Sequence, residues 1–175
     1  MTKKNILITG TPGIGKTTLI KKLSEALKDL HPVGFYTSEI REKGIRKGFE
    51  LISLNGKKRP LSHTEIKSPY RVGKYRVDIK GFEEFLASIT FLESASKLII
   101  IDEIGKMECF SEKFKTIIKE ILNSEKLVIA TISLKDNGFI SEIKRRSDVM
   151  QFEINKDNRE SLSKEIIDYA KRIKK

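Results

Sequence analysis

Residues 10–17 read Gly-Thr-Pro-Gly-Ile-Gly-Lys-Thr and match Gly-x-x-x-x-Gly-Lys-Thr, the pattern of a phosphate-binding loop, at every fixed position. The glycines at positions 10, 13 and 15 would let backbone N–H groups wrap closely around phosphates. Lys16 would reach the terminal phosphates, and the Thr17 hydroxyl would hold Mg²⁺. The stretch therefore predicts a nucleotide phosphate site with Mg²⁺ as the cofactor.

The flanking sequence fits a strand, loop and helix in that order. Residues 5–9 form a short apolar run that is typical of a buried parallel strand. After the loop, apolar residues recur at helical spacing from Leu19 to Leu30. This context favours a phosphate-binding loop over a glycine-rich turn that matches by chance.

Length and composition predict one domain over residues 1–175, since 175 residues with 38% hydrophobic side chains suffice for a single core. The longest apolar run in the middle of the chain, at 98–101, is far too short to cross a bilayer. The apolar run after the basic start ends at Thr9 and enters the phosphate loop, unlike a signal peptide. We expect a cytoplasmic protein without a membrane partner, and a monomer is favoured.

Cys109 is the single cysteine, so a disulfide framework is excluded. Neither His31 nor His63 is near it in sequence, and zinc-type ligand spacing is missing. We expect a packed thiol at this position and not a nucleophile.

Thirty-five basic residues against 24 acidic ones give a formal charge of +11, which attracts polyanions such as nucleotides and RNA. The basic residues are spread along the chain and cluster only at 57–59, 144–146 and 171–175. A solvated basic surface is the favoured interpretation. Nucleic acid stays open as a partner.

The remaining elements alternate between strands and helices. Strands are predicted at 32–40, 49–54, 97–101, 127–132 and 149–154, and helices at 82–92, 111–123, 139–143 and 162–173. Asn55-Gly56 is a strong hairpin signal, so residues 33–63 are interpreted as an antiparallel β-hairpin insertion, followed by a loop at 64–79 with one short extended piece around 75–77. The predicted fold is an α/β domain with a mostly parallel sheet flanked by helices.

Asp102 and Glu103 end an apolar strand, and Asp102 lies 86 residues after Lys16. Because the carboxyl ends of parallel strands gather at one edge of a sheet, these acids can meet the phosphate loop. Thr17 and Asp102 are the predicted metal ligands. Glu103 is the predicted general base, because a carboxylate beside the metal can accept a proton from the attacking water.

Other residues near this site have open roles. Thr131, at the end of the next strand, could touch the γ-phosphate or be a satisfied core threonine. A cation that stabilises the transition state could come from Arg41, Arg145 or Arg146. Without one supplied by the chain itself, hydrolysis should be slow, on the order of 10⁻⁴ s⁻¹.

Base selectivity is weakly encoded. Asn155-Lys156-Asp157-Asn158 nearly matches the Asn-Lys-x-Asp guanine signature, but Asn158 replaces the carboxylate that would accept hydrogen bonds from guanine. We interpret the segment as the loop and N-cap before the last helix.

The motifs together resemble one family. They are the phosphate loop at 10–18, Gly-Phe-Tyr-Thr-Ser-Glu-Ile-Arg at 34–41, Val-Gly-Lys-Tyr at 72–75, Ile-Asp-Glu-Ile-Gly-Lys-Met-Glu at 101–108 and Asn-Arg at 158–159. This set resembles the cancer-related nucleoside-triphosphatase family of the THEP type. The resemblance implies a RecA-like fold and Mg²⁺-dependent hydrolysis of ATP, GTP and other nucleoside triphosphates with little base preference. It also implies that Lys106 and Arg41 lie near the site, and the chain departs from the family at Cys109 and at 133–147.

The sequence thus predicts a Mg²⁺-dependent nucleoside-triphosphatase in which Lys16, Asp102 and Glu103 are catalytic. The predicted nucleotide-binding residues are Gly10, Thr11, Pro12, Gly13, Ile14, Gly15, Lys16, Thr17, Thr18, Arg41, Ile101, Asp102, Glu103 and Lys106. Two alternatives remain: a nucleotide or nucleoside kinase, with the basic cluster at 144–146 as its lid, and a nucleotide-gated RNA-binding module.

Overall fold

The computed structural model describes residues 2–174. The strands in this range are β1 (Asn5–Thr9), β2 (Val33–Glu42), β3 (Ile45–Ser53), β4 (Lys58–His63), β5 (Arg71–Val72), β6 (Tyr75–Val77), β7 (Leu98–Ile104), β8 (Leu127–Ile132) and β9 (Val149–Glu153). The helices are α1 (Lys16–Ala26), α2 (Ile79–Ala87), α3 (Glu112–Asn123), α4 (Gly138–Lys144) and α5 (Leu162–Ile173). These strands form one sheet in the spatial order β5-β6-β4-β3-β2-β7-β8-β1-β9.

The half of the sheet from β2 to β9 is parallel at every pairing. Every residue of β1 and β8 is buried, which explains why these strands are almost continuously apolar in sequence. The strand before the phosphate loop and the strand that ends in the acidic pair are separated by β8 alone. The predicted mostly parallel sheet flanked by helices is confirmed.

Two helical layers cover this sheet. On one face, α2, α3 and α4 pack over a core that includes Leu7, Phe35 and Ile101. On the other face, α1 and α5 pack over Ile6 and Ile8. Adjacent residues of β1 therefore serve opposite cores, as the two-residue period of a strand requires. Among residues 2–174, no helix combines the length and apolar character needed to cross a membrane.

The other half of the sheet, from β2 out to β5, is antiparallel. Asn55-Gly56 lies in the turn between β3 and β4, where Gly56 has φ +91°, so the hairpin prediction is confirmed. Lys43 and Gly44 join β2 to β3 with φ values of +48° and +79°. The strand β2 belongs to both halves, because Val33–Phe35 pairs parallel with β7 while Phe35–Glu42 pairs antiparallel with β3.

Some predicted boundaries are wrong. The antiparallel region does not stop at residue 63 but continues through β6 to Val77, because two short strands extend the edge of the sheet. The helix predicted to reach Leu92 ends at Ala87, where the Ser88 hydroxyl donates to the Phe85 carbonyl, and Leu92 is 52% exposed. The first helix also stops early, at Ala26.

Candidate active site

The phosphate loop connects the end of β1 at Thr9 to the start of α1 at Lys16. Gly13 and Gly15 have φ values of +76° and +111°, and a Cβ at either position would meet no atom within 4 Å. Glycine is therefore required for the backbone conformation, while the space beside both residues is open. The loop presents backbone N–H groups and a helix N-terminus to that space, an arrangement that binds phosphate.

The other residues of the loop have distinct environments. Thr11 and Pro12 are exposed, as is Thr18 in the first turn of α1. Ile14 is buried and packs in the core beneath α1. Its side chain thus anchors the loop, so that Ile14 can contribute to a phosphate site through its backbone.

Lys16 lies over the loop that it follows. Its Nζ donates to the carbonyl of Gly10 at 2.8 Å and to that of Thr11 at 3.2 Å. Both contacts are to neutral acceptors, so phosphate oxygens, which are charged, are stronger partners for the same ammonium group.

Asp102 is the centre of the site. It is 2% exposed, and its Oδ2 accepts from the Thr17 hydroxyl at 2.7 Å. Thr131 donates to Oδ1 at 2.6 Å, while the N–H and hydroxyl of Thr37 each lie 3.3 Å from Oδ2. The structure therefore brings together Thr17 and Asp102, as the sequence suggested, and resolves the open role of Thr131 as a hydrogen-bond donor to Asp102.

The Thr17 hydroxyl and the Asp102 carboxylate fit a hard divalent cation such as Mg²⁺. Among the described residues, there is no cluster of three or more His, Cys, Asp or Glu side chains able to hold a metal. A cation here would have one carboxylate and one hydroxyl from the protein, and phosphate oxygens would complete its shell. This is how Mg²⁺ binds in nucleotide enzymes, where it is not held by an all-protein cage.

Thr37 is a site residue whose hydrogen bonds to Asp102 were not predicted from the sequence. It belongs to β2, whose parallel register with β7 aligns Phe35 with Ile101. Two residues further along each strand, Thr37 therefore lies beside the acidic pair. Thr37 could have been identified if β2 had been known to pair with β7. The local sequence pattern does not indicate which strands are neighbours.

Glu103 follows Asp102 where the register between β7 and β8 is interrupted, between Ile101 and Ile104. Burial and the nearby Asp102 charge raise the pKa of Glu103 above its ordinary value, and the Lys16 ammonium opposes that rise. Ile101 itself is fully buried in the core. Glu103 is thus a carboxyl whose affinity for a proton is increased, as a general base near neutral pH requires.

Beyond this pair, Glu108 is buried and Cys109 is partly buried. Glu108 is 5% exposed, and burial together with the charge of Glu103 raises its pKa to about 8. Burial also raises the pKa of the Cys109 thiol to about 12, so it stays protonated. Cys109 packs against the core, in agreement with a packed thiol and not a nucleophile.

The cationic candidates are not gathered at the phosphate loop. Arg41 lies near the outer end of β2, where its guanidinium bonds to Glu39 at 2.6 Å and to the Gly44 carbonyl at 2.8 Å. Lys106 is exposed in the segment after β7. The structure thus places Lys106 after the acidic pair, whereas Arg41 is engaged within its own hairpin.

The prediction that Arg146 could supply a cation at the phosphate site is wrong. Its guanidinium bonds to Asp148 at 2.7 Å and to Asn123 at 2.9 Å. Asp148 also accepts from Asn5, the first residue of β1, so this cluster lies at the sheet edge opposite to the phosphate loop. A cavity of about 740 Å³ opens at that edge, away from the acidic pair.

The neighbours of Arg146 give the kinase alternative no support. Arg145, the residue before it, is exposed at the end of α4. The Lys144 ammonium is bound to Asp136 at 2.7 Å and to the Leu134 carbonyl at 3.3 Å. The cluster therefore does not form an arginine-rich lid over the phosphate loop.

The segment that resembles a guanine signature forms a closed loop after β9. A Cβ on Gly10 would lie 2.6 Å from the Ile154 side chain, so this loop packs directly beside the phosphate loop. Asn158 accepts from the Asn155 N–H at 2.8 Å and donates to the Glu153 carbonyl at 2.8 Å. The prediction of a loop is confirmed, but that of an N-cap is wrong, because α5 begins four residues after Asn158.

Comparison with known proteins agrees with this geometry. A sequence model of the family described as NTPase matches residues 5–167. The protein called nucleoside-triphosphatase THEP1 in a Thermotoga species is 52% identical over 169 residues, covering 95% of both chains. The human cancer-related nucleoside-triphosphatase is 38% identical over 180 residues, covering 94% of this chain and 95% of the human protein. The crystal structure of THEP1 from Aquifex aeolicus superimposes with a TM-score of 0.85 at 36% identity and covers 96% of this chain and 99% of that one.

Proposed function

The chain belongs to the NTPase family and is a nucleoside triphosphate hydrolase, and we propose that it releases the γ-phosphate of ATP, GTP and other nucleoside triphosphates with Mg²⁺. The single observation that carries this proposal is the 2.7 Å hydrogen bond between the Thr17 hydroxyl and Asp102. It joins the phosphate loop to the acidic strand, although the two residues are 85 positions apart in sequence. Phosphate binding and water activation can therefore occur at one place.

The loop at 10–18 binds the phosphates through its backbone N–H groups. On binding, the Lys16 ammonium exchanges the carbonyls of Gly10 and Thr11 for oxygens of the β- and γ-phosphates. The exchange replaces two neutral acceptors by charged ones, so the interaction strengthens as negative charge develops on the departing diphosphate.

Thr17 and Asp102 would hold Mg²⁺, and the ion would supply positive charge that stabilises the phosphates. Thr131 and Thr37 keep the Asp102 carboxylate in place by donating to its two oxygens. Such outer partners orient a metal ligand before the metal arrives, and their loss weakens metal binding.

Glu103 acts on the water molecule. As the water oxygen forms a bond to the γ-phosphorus, the bond between that phosphorus and the bridging oxygen breaks, and its electron pair leaves with the diphosphate. The Glu103 carboxylate accepts the proton that the water loses. Its raised pKa makes it a stronger base than an exposed glutamate, and the Lys16 ammonium opposes that rise of the pKa.

The proposal of low base selectivity rests on the loop after β9. The side chain of Asn158 is occupied by bonds inside this loop, and it carries an amide where guanine selection requires a carboxylate. A carboxylate that accepts from the guanine N1 and N2 hydrogens is therefore missing from that position. We expect ATP, GTP, CTP and UTP to be hydrolysed at rates within about tenfold of each other.

Phosphate release from these four triphosphates, with Mg²⁺ and with excess chelator, tests the proposed reaction. We expect phosphate and nucleoside diphosphate to be released in equal amounts. The chelator should abolish this release. Rates should be slow, since Arg41 and Arg146 are engaged elsewhere and Arg145 is exposed at the end of α4. A rate unaffected by chelator, or strict selectivity for a single base, would contradict the proposal.

One observation favours a second function, binding of single-stranded nucleic acid. Residues 33–77, which form the antiparallel half, contain eleven lysines and arginines and four glutamates. This region thus carries +7 of the formal charge of +11 on only 45 of the 175 residues. Such concentration of positive charge in one part of a fold is the electrostatic footprint of a nucleic-acid surface.

The antiparallel half also offers an aromatic side chain for base stacking near the phosphate site. Tyr70 is 42% exposed, and its ring lies 5.4 Å from that of Phe110, in the turn that follows the acidic strand. Arg71, the residue after Tyr70, and Lys74 are exposed on the β5–β6 hairpin, and the Lys74 ammonium lies 5.5 Å from the centre of the Tyr75 ring. Aromatic rings beside cations bind single strands with little sequence preference.

Binding of a fluorescent single-stranded RNA at several salt concentrations tests this second function. The triple variant Lys43→Gln, Arg71→Gln and Lys74→Gln should weaken binding at least tenfold and reduce the salt dependence. The matched control neutralises three exposed lysines on helices of the parallel half, Lys22, Lys28 and Lys113, and should weaken binding less. Equal losses in the two variants would indicate general attraction to a basic protein.

A further inference from the structure

Glu108 is a buried acid to which the proposed reaction assigns no role. It begins the short 3-10 turn at 108–110, after β7, and is only 5% exposed. Among the described residues, no lysine, arginine or histidine forms an ion pair with its carboxyl. Because burying a carboxyl without a cation is unfavourable, its place in the fold needs a compensating reason.

The carboxyl groups of Glu108 and Glu103 converge on Gly105. A Cβ at Gly105 would lie 3.0 Å from Oε2 of Glu108 and 3.1 Å from Oε1 of Glu103. These two oxygens are therefore no more than about 6 Å apart. Gly105 is itself buried, so the two side chains share a small space between β7 and the following turn.

We propose that Glu108 is a positioning residue, whose carboxyl fixes the Glu103 carboxylate above Gly105 in the orientation that accepts the proton from water. The inference rests on the proposed function, because it assigns the partner of the residue that activates water. Glu108 does not touch substrate in this account. It acts by limiting the rotamers that Glu103 can adopt, since a misplacement of about 1 Å can lower a rate by up to about 100-fold.

The chemistry of the pair fits this role. Two carboxylates that share a buried space do not both ionise readily. Burial and the charge of Glu103 raise the pKa of Glu108 to about 8, which favours its protonated form, and the hydroxyl of that form can donate to a carboxyl oxygen of Glu103. The backbone N–H groups of Gly105 and of Glu108 itself favour the charged form and oppose this rise of the pKa.

Two substitutions separate positioning from packing. In Glu108→Gln, the amide can still accept from the backbone and donate to Glu103. In Glu108→Met, the side chain fills a similar volume but offers neither group. A role in packing alone predicts that both variants behave alike, whereas positioning predicts that only Glu108→Met is impaired.

The experiment measures kcat and KM for ATP with the full chain, together with thermal unfolding. Glu108→Gln should keep kcat within about threefold, and Glu108→Met should lower kcat by about 10- to 100-fold with KM within about twofold. In a Glu103→Gln background, measured in single turnover, Glu108→Met should cause no further loss, because the residue acts through Glu103.

Wild-type kcat in a folded Glu108→Met variant, or an equal loss in the Glu103→Gln background, would overturn the proposal. If Glu108→Met does not fold, Gly105→Ala decides, because its methyl group would displace both carboxyl oxygens by a few tenths of an ångström. Positioning predicts a drop in kcat for Gly105→Ala, and wild-type kcat contradicts it. Failure of the proposed function itself looks different: the wild-type protein would release no phosphate.

Discussion

The parallel and antiparallel halves of the sheet differ in where they place buried and charged side chains. In the parallel half, β1 and β8 are buried on both faces, and polar groups appear where strands end. In the antiparallel half, exposed and buried residues are mixed along β3 and β4, and basic side chains dominate. Chemistry thus concentrates where buried parallel strands end together, while charge accumulates on the half that keeps contact with solvent.

The pKa of a glutamate side chain is raised in one half of the sheet and lowered in the other. Burial and the charge of Glu103 raise the pKa of Glu108 in the parallel half. In the antiparallel half, Arg46 and Arg41 hydrogen bond to Glu39 and lower its pKa. The parallel half therefore has a buried acid, Glu108, next to the proposed site, whereas in the antiparallel half Glu39 is paired with arginines at the surface.

The two halves meet in β2, and the largest effect is expected where they join. Gly34 has φ +134°, and a Cβ there would lie 1.8 Å from the Ile100 carbonyl oxygen. Gly34→Ala should therefore break the β2–β7 pairing and lower the free energy of unfolding by roughly 3 kcal/mol or more. Chemical denaturation measures this loss.

Gly56→Ala in the β3–β4 turn is the matched control. Gly56 also has a positive φ, +91°, but a Cβ there meets no atom within 4 Å. The loss should be about 1–2 kcal/mol from backbone strain alone. Equal losses at the two glycines would mean that the junction is no more constrained than a surface turn.

The pH dependence of the free energy of unfolding should distinguish the buried Glu108 from Glu39, which is paired with arginines. The folded-state pKa of Glu108, about 8, exceeds its ordinary value of 4.5, so the folded protein retains a proton that the unfolded chain loses. The free energy of unfolding therefore falls as pH rises through this window. Glu108→Gln has no such proton to lose, and relative to wild type it should gain about 3 kcal/mol between pH 5.5 and pH 8.5.

Thermal unfolding at the two pH values measures this gain, with Glu39→Gln as the control. Because the pKa of Glu39 is lowered, its contribution is complete above its ordinary value of 4.5 and is lost only at lower pH. Glu39→Gln should thus shift stability equally at pH 5.5 and pH 8.5. A pH-independent difference for Glu108→Gln would contradict the raised pKa of Glu108.

A smaller effect is expected at Thr37, the point where β2 contacts the site. Thr37→Val removes a hydroxyl that lies 3.3 Å from Asp102 and should raise the Mg²⁺ concentration needed for half-maximal activity about tenfold. The control is Thr64→Val, since the Thr64 hydroxyl is buried without a hydrogen-bond partner among the described residues. That change should leave the Mg²⁺ requirement unaltered, and equal shifts in both variants would exclude a specific role for Thr37.

The smallest effect on hydrolysis is expected from the basic surface. Lys43→Gln, Arg71→Gln and Lys74→Gln are exposed changes in the antiparallel half and should alter kcat for ATP by less than about twofold. Steady-state phosphate release in the absence of RNA measures this. A tenfold loss would mean that the two halves do not divide binding and chemistry as proposed.

Local pattern was sufficient for the elements that are decided locally. The phosphate loop, the buried strands and the Asn55-Gly56 turn could be predicted because each depends on a few adjacent residues. The link between Thr17 and Asp102 could be anticipated because parallel strands end at one edge.

The remaining features depend on contacts between residues distant in sequence. The bonds from Thr37 to Asp102 arise from the lateral order of strands, which no local period encodes. The location of Arg146 at the far edge follows from its pairing with Asp148, and sequence alone gives only its distance along the chain. The convergence of Glu103 and Glu108 on Gly105 likewise depends on how the chain turns after β7.

In the proposed mechanism, the acidic pair at the end of β7 makes the phosphate-binding loop part of a hydrolase site, because Glu103 activates the water. Single-turnover phosphate release from ATP by wild type and Glu103→Gln tests it most directly, with ATP binding measured in parallel. We expect the rate of release to fall by about 10²- to 10⁴-fold, with ATP affinity within about threefold of wild type. Full activity in Glu103→Gln would contradict it.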